Sequence, residues 1–321
     1  MIRAVLAVAL LLTAPPISAV QSSSTRTAAR TIITEVRDLI ARDEFAAAER
    51  TLRQFIAANG ATPDALEALS WLGRGALARK RLDEANRFAM ETYGLSLEAL
   101  KTRQLDDEPR LPIALGAAIE VQAHVLSARG QRSEGVYLLR RALDEYRSTS
   151  IRTRIQKNVN LLSLEGQPAP AYDVSEHVGV KPPTIKELNG RPALLFFWAH
   201  WCPDCKAMAP VLAELQAAYR DKGLTIVAPT QRYGYVAKRA PADAKTEMAY
   251  IGQVARDSYP GVDWTVPVSA ESFANWGAST TPTVVLVDRR GIVRLYHPGQ
   301  MEKNELEPLV RAVVERGTTN H

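Results

Sequence analysis

Only two cysteines occur in this 321-residue chain, Cys202 and Cys205, and they stand three positions apart in the stretch WAHWCPDCKAMAP, residues 198–210. Directly before them lies ALLFFW (193–198), apolar throughout, as a central strand buried on both faces should be. Directly after them, KAMAPVLAELQAAYRDKG has helical composition and ends at Gly223. A cysteine pair at the junction of a buried strand and a helix narrows the fold to an α/β arrangement around that junction.

Such a pair can be a structural clip, half of a metal site or a redox centre. A bridge across so short a loop removes little chain entropy from the unfolded state, which makes stabilisation a weak reason for it. A zinc site needs two further ligands. The five histidines, at 124, 177, 200, 297 and 321, form no spaced cluster, so no metal is expected. For redox work the placement is favourable. Unpaired N–H groups at a helix start and the nearby Lys206 favour an anion at Cys202, and a thiol there can fall from about 8.5 into a range of roughly 3.5–7.5. Cys205, one turn further in, is expected to be more buried and poised to resolve a mixed disulfide. Pro203 and Asp204 form the dipeptide that tunes the pair, with Asp204 opposing the thiolate that Lys206 favours. Trp198 reads as core. Trp201 reads as a flat surface platform beside Cys202, and His200 as an exposed or partly exposed neighbour.

The flanking sequence divides in two. Residues 27–163 read as an all-α array, with Ala-, Leu-, Glu- and Arg-rich segments at 27–41, 45–58, 63–80, 82–100, 111–129 and 132–148. Turn signals separate them at Asn59-Gly60, Thr62-Pro63-Asp64 and Arg129-Gly130-Gln131. Small residues recur twelve apart, Gly73 with Ala85 and Ala123 with Gly135, where two helices of one hairpin would pack closely. This is similar to tetratricopeptide repeats, although the spacings from Ala48 to Ala85 and from Ala85 to Gly135 depart from the regular 34, and a generic helical hairpin bundle stands beside that reading.

From Gln167-Pro168-Ala169-Pro170 onward, short apolar runs alternate with helical stretches. Strands are expected at 193–198, 224–229, 283–288 and in IVRLYH, with a short one in VPVS, and helices after the cysteines, at 241–258, in ESFANWGA and at 302–316. Parallel strands finished by an antiparallel hairpin make a mixed sheet flanked by helices. Tyr233 and Tyr235 lie in an insert over 230–262.

The first 19 residues, MIRAVLAVALLLTAPPISA, read as a secretory signal: one cation, a short apolar core, then prolines and small residues before a cleavage point after Ala19. An uncleaved signal anchor is the alternative, because Ile17 is not ideal at its position. The charge of +5 is spread over 40 basic and 35 acidic residues without long like-charge runs, which argues against nucleic-acid binding.

Residues 168–316 resemble the thioredoxin superfamily, and within it the TlpA/ResA/DsbE-like exported thiol-disulfide oxidoreductases. PTIKELNGRPALLFFWAHWCPDCKAMAP is similar to that group's opening, with Pro210 at its helix-kinking proline, and NWGASTTPTVVLVDRRGIV is similar to its second motif. The resemblance implies a cis-proline turn at Thr281-Pro282, facing the dithiol about 80 residues away, where the Thr281 backbone and Trp201 would bind substrate. Two departures stand out. Phe196 and Met208 occupy positions where relatives keep proton-handling acids, which leaves Asp204, His200 or water for the proton of Cys205.

These observations combine into one expectation: an exported, periplasmic thiol-disulfide oxidoreductase with residues 1–19 as signal, 27–163 as a helical TPR-like domain and 168–316 as a thioredoxin-like domain. Cys202 and Cys205 would be its catalytic, redox-active pair. The dithiol carries the electrons, so no cofactor is required. The partners are a protein substrate bearing a disulfide or dithiol, a membrane electron donor, and a protein docked on the helical domain. The resemblance leans to a reductase, with cytochrome c maturation the commonest role. The competing reading is a helical-repeat interaction or redox-sensing protein whose thioredoxin-like domain mainly binds.

Overall fold

The computed structural model describes residues 31–315. The expected signal at 1–19 lies outside them. Seven helices come first: α1 (Ile32–Ala41), α2 (Phe45–Asn59), α3 (Pro63–Ala78), α4 (Leu82–Leu100), α5 (Leu111–Ala128), α6 (Arg132–Glu145) and α7 (Arg152–Ser163). Hydroxyl caps start two of them. Thr31 accepts from the Thr34 N–H, and Thr62 accepts from the Ala65 N–H with Pro63 at the first helical position. Helices α1/α2, α3/α4 and α5/α6 pair as hairpins, and α1, α3, α5 and α7 pack in succession into one layer. The small residues set how closely the hairpins close: a Cβ on Gly135 would come within 2.7 Å of the Ala123 carbonyl oxygen. Helix α5 is long and apolar enough to cross a membrane by composition, yet more than half of it is buried among its neighbours, the pattern of a core helix.

The second half begins with β1 (His177–Val178) and β2 (Ala193–Phe197), then α8 (Pro203–Ala207), α9 (Ala209–Tyr219), β3 (Thr225–Val227), α10 (Ala244–Asp257) and β4 (Val266–Pro267). It ends with α11 (Ala270–Asn275), β5 (Thr283–Val287), β6 (Val293–Pro298) and α12 (Lys303–Glu315). The main sheet runs β3-β2-β5-β6, parallel between β2 and β3 and antiparallel from there to β6. Period-2 geometry splits β2 between two cores. Leu194, Phe196 and Trp198 pack with α9, α10 and α12, whereas Ala193, Leu195 and Phe197 pack with Phe273, Trp276 and Tyr296. Every β2 and β5 residue is buried, which is why both strands read as unbroken apolar runs.

The two halves meet through α7. Asn160 Nδ2 donates to the Trp276 carbonyl at 2.9 Å, and Arg152 reaches Glu271 and Asn275 at 2.8 Å. Gly277 lies directly against the Lys157 backbone.

Candidate active site

The end of β2 is fixed before the cysteines begin. Trp198 Nε1 donates to the Ala228 carbonyl at 3.0 Å, and the Thr230 hydroxyl donates to the Trp198 carbonyl at 2.8 Å. Cys202 is the N-cap of α8, followed by Pro203, whose missing N–H costs nothing at that position. One helical turn places the Cys205 N–H 3.1 Å from Cys202 Sγ, to which it donates, and the two cysteines are joined as a disulfide with Cα atoms 5.3 Å apart. With only five residues, α8 carries little macrodipole, so this directed N–H is a local feature that favours negative charge on Cys202. The helix breaks at Met208, and Pro210 sits in the first turn of α9.

The second expected motif arrives from 79 residues away. Thr281-Pro282 is a cis peptide, and the Thr281 carbonyl oxygen lies 3.5 Å from Cys202 Sγ. Thr281 is half-buried and Pro282 buried, at the start of β5. The sulfur pair itself is shielded, with Cys202 2% exposed and Cys205 fully buried. Trp201 is 47% exposed beside it and meets the Tyr233 ring edge-on at 5.5 Å. Pro203 and Asp204 are exposed at the front of α8, and Lys206 is half-buried.

His200 corrects the sequence expectation. It is not exposed but 1% accessible, because the 230–262 insert folds over it. Tyr233, Tyr235 and Tyr250 surround the imidazole edge-on at 5.3–5.5 Å. Glu247 of α10, equally buried, lies 3.1 Å from His200 Nε2. The same carboxylate accepts the backbone N–H groups of Tyr233 and Gly234. Burial pulls the His200 imidazole below its ordinary value against the opposing pull of Glu247. The neutral ring therefore donates from Nε2 to the carboxylate.

Glu247 was not singled out from the sequence. One signal was available: it falls in register with Ile251, Val254 and Ala255 on the buried stripe of α10, a carboxylate where an apolar residue belongs. Phe196 packs against Tyr259 and Trp264, whose rings lie 6.4 and 6.2 Å away. The insert thus supplies a buried carboxylate beside His200.

Comparison with known proteins places the same half of the chain. A family model described as a thioredoxin-like domain matches residues 184–313. Over 146 residues the chain is 30% identical to the thioredoxin-like protein YneN of Bacillus subtilis, covering 44% of this chain and 76% of that protein. It is 27% identical over 149 residues to the thiol:disulfide interchange protein DsbE of Xylella fastidiosa, covering 45% of this chain and 66% of that one. Among solved structures, a thiol:disulfide interchange protein of the thioredoxin family from Chlorobium tepidum aligns with a TM-score of 0.38 at 20% identity, covering 47% of this chain and 97% of that one.

Proposed function

Because the chain belongs to the thioredoxin-like family, we propose that it is an exported thiol-disulfide oxidoreductase that acts as a reductase on protein disulfides. The observation that carries this reading is the Cys202–Cys205 disulfide at the strand–helix junction, with the Thr281 carbonyl 3.5 Å from Cys202 Sγ. In the reduced enzyme the Cys202 thiolate attacks one sulfur of a substrate disulfide. A mixed disulfide forms, and the other substrate sulfur leaves as a thiolate that takes a proton from water. The Cys205 thiol gives its proton to water, and its thiolate then attacks Cys202 Sγ. The second substrate sulfur departs, and the enzyme retains the disulfide. Two electrons pass to the substrate, and a dithiol donor at the membrane restores the enzyme.

Backbone N–H and C=O groups at Thr281 suit an extended substrate segment pairing beside the dithiol, with Trp201 as its flank. Charge around the sulfur tunes the direction, and the family resemblance leans to the reductase. The Cys205 N–H, directed at Cys202 Sγ, and Lys206 favour the thiolate, whereas Asp204 at the front of α8 opposes it and favours the disulfide. Export rests on the signal-like residues 1–19, and cytochrome c maturation is the role the reductive direction fits.

The deciding experiment is the equilibrium potential of the pair, read against about −270 mV for thioredoxin and −120 mV for DsbA. A value near the lower figure supports the reductase, and one near the upper overturns the direction. Cys202→Ser abolishes exchange, while Cys205→Ser accumulates mixed disulfides. Full exchange activity in both variants overturns the enzyme and leaves a helical-repeat binding or sensing protein.

A further inference from the structure

The 230–262 insert carries two cations on a strained turn. Residues 234–242 form a tight hairpin in which Tyr235 and Pro241 pair antiparallel. The Ala242 N–H donates to the Gly234 carbonyl at 3.0 Å, and the Val236 N–H donates to the Ala240 carbonyl at 2.9 Å. The Ala240 N–H closes the turn on the Ala237 carbonyl at 3.2 Å, which leaves Lys238 and Arg239 as its central residues. Their φ angles are +55° and +58°. A turn with positive φ at both central positions ordinarily takes Asn-Gly, because a Cβ in the left-handed region is disfavoured. Lys-Arg is an unfavourable occupant of those positions, and backbone outliers of this kind collect at functional sites.

The fold itself uses neither side chain. Both are exposed, and neither makes a hydrogen bond or ion pair among the described residues. The charges on either side of the hairpin are committed. Arg232 before it is held by Glu176, Asp243 after it caps α10 by accepting the Thr246 N–H at 2.7 Å, and Glu247 is buried against His200. The base of the hairpin is anchored beside the dithiol. Tyr233 meets Trp201 edge-on at 5.5 Å, and Tyr235 meets His200, two residues before Cys202, edge-on at 5.5 Å. The three residues from Tyr235 to Lys238 span at most about 11 Å, so the tip lies within a short peptide's reach of the Trp201 platform.

We propose that Lys238 and Arg239 select protein substrates whose disulfide cysteine lies in an acidic segment, the carboxylates meeting the tip while the segment pairs at Thr281 and runs past Trp201. This inference rests on the exchange activity proposed above and is independent of its direction. The Arg239 fork matches a carboxylate through paired N–H donors, and Lys238 adds a point charge beside it. Exposed cations at the rim of a site act mainly on encounter rate and on the choice of partner, and salt weakens both effects. An anionic lipid surface is ordinarily met by a cluster of about four to eight cations, which a two-residue tip does not supply.

The test uses the full chain, reduced beforehand and freed of reductant. Its probes are the disulfide dimers of two short peptides with a single Cys, flanked by Asp and Glu in one and by Asn and Gln in the other, with hydroxyethyl disulfide beside them. Each rate constant for oxidation of the chain is divided by that of dithiothreitol on the same disulfide, which removes differences in the disulfides' own reactivity. The acidic peptide is expected to react about ten-fold faster than its amide twin, and the ratio to shrink as salt is raised. Lys238→Asn combined with Arg239→Gly gives the turn its preferred residues, so it should raise the thermal midpoint while bringing the ratio near one. Lys238→Arg combined with Arg239→Lys should retain the ratio. A ratio near one in the unaltered chain, or one that survives in the Asn-Gly variant, overturns the proposal. Binding to phosphatidylglycerol vesicles that the Asn-Gly variant loses, alongside a ratio near one, gives the tip to a lipid surface instead. Failure of all three disulfides to oxidise the chain overturns the exchange reading itself, whereas reaction with hydroxyethyl disulfide and no preference between the peptides overturns the role of the tip alone.

Discussion

His200 Nε2 lies 3.1 Å from Glu247 Oε1, and both side chains are 1% exposed although 47 residues separate them in the chain. This contact ties the insert to the segment that carries the cysteines. The Glu247 carboxylate gathers three donors, one from the active-site approach and two from the turn at Tyr233-Gly234, so a single buried anion holds two loops in register. It also fixes which His200 nitrogen carries the proton.

Acidification should expose the cost of burying a neutral imidazole. The folded value lies below the ordinary 6.5. The unfolded chain therefore binds a proton on His200 that the folded chain does not, and stability falls as pH drops from about 6.5 toward the folded value. Urea melts across pH 7 to 5 measure this, and His200→Gln flattens that part of the curve. An equal slope in the variant sinks the assignment.

Glu247→Ala leaves three buried donors without their acceptor and is expected to destabilise the fold by about 3 kcal/mol. Glu247→Gln keeps one acceptor oxygen and costs about 1 kcal/mol. Denaturant midpoints rank the two.

Gly277 has φ of +61°, and a Cβ there would lie 2.3 Å from the Lys157 backbone nitrogen. Gly277→Ala thus meets backbone rather than a movable side chain, at the contact between the helical half and the sheet. A loss of about 3 kcal/mol or more is expected, read as a lower thermal midpoint. Ala at the open Gly60, where nothing lies within 4 Å, controls for left-handed strain alone.

Trp201 is half exposed and braced only at its edge by Tyr233. Trp201→Ala should leave stability within about 0.5 kcal/mol. It should lower kcat/KM on a protein disulfide roughly ten-fold, the effect of losing an aromatic anchor. A small disulfide, too short to reach the indole, should react as before. Equal loss on both substrates would place Trp201 in the exchange chemistry instead.

Asp204 is exposed and makes no hydrogen bond or ion pair among the described residues. Solvent and salt screen such a charge. Thiolate absorbance against pH should therefore move little in Asp204→Asn, and less still as salt is raised. A large shift in Asp204→Asn returns the proton of Cys205 to Asp204.

Much of the fold was legible in the chain because the relevant signals are local. ALLFF and TVVLV announce buried strands, Thr62-Pro63 starts a helix, and a cysteine pair directly after a buried strand marks where strand turns into helix. The strand at 177–178 passed unnoticed, since two half-buried residues paired to β4 leave no periodicity to detect. The short separation of Cys202 and Cys205 and the order of the two motifs were likewise matters of sequence. Tertiary structure alone decided what surrounds them. His200 looked like an exposed neighbour because its own segment contains no partner, and only the folding of α10 over the site supplies Glu247 and three tyrosines. Arg74 Nε and Nη2 are buried without a partner among the described residues, a consequence of helix packing that no local signal marks. Burial and charge pairing are properties of distances between remote segments, and those distances exist only once the chain has packed.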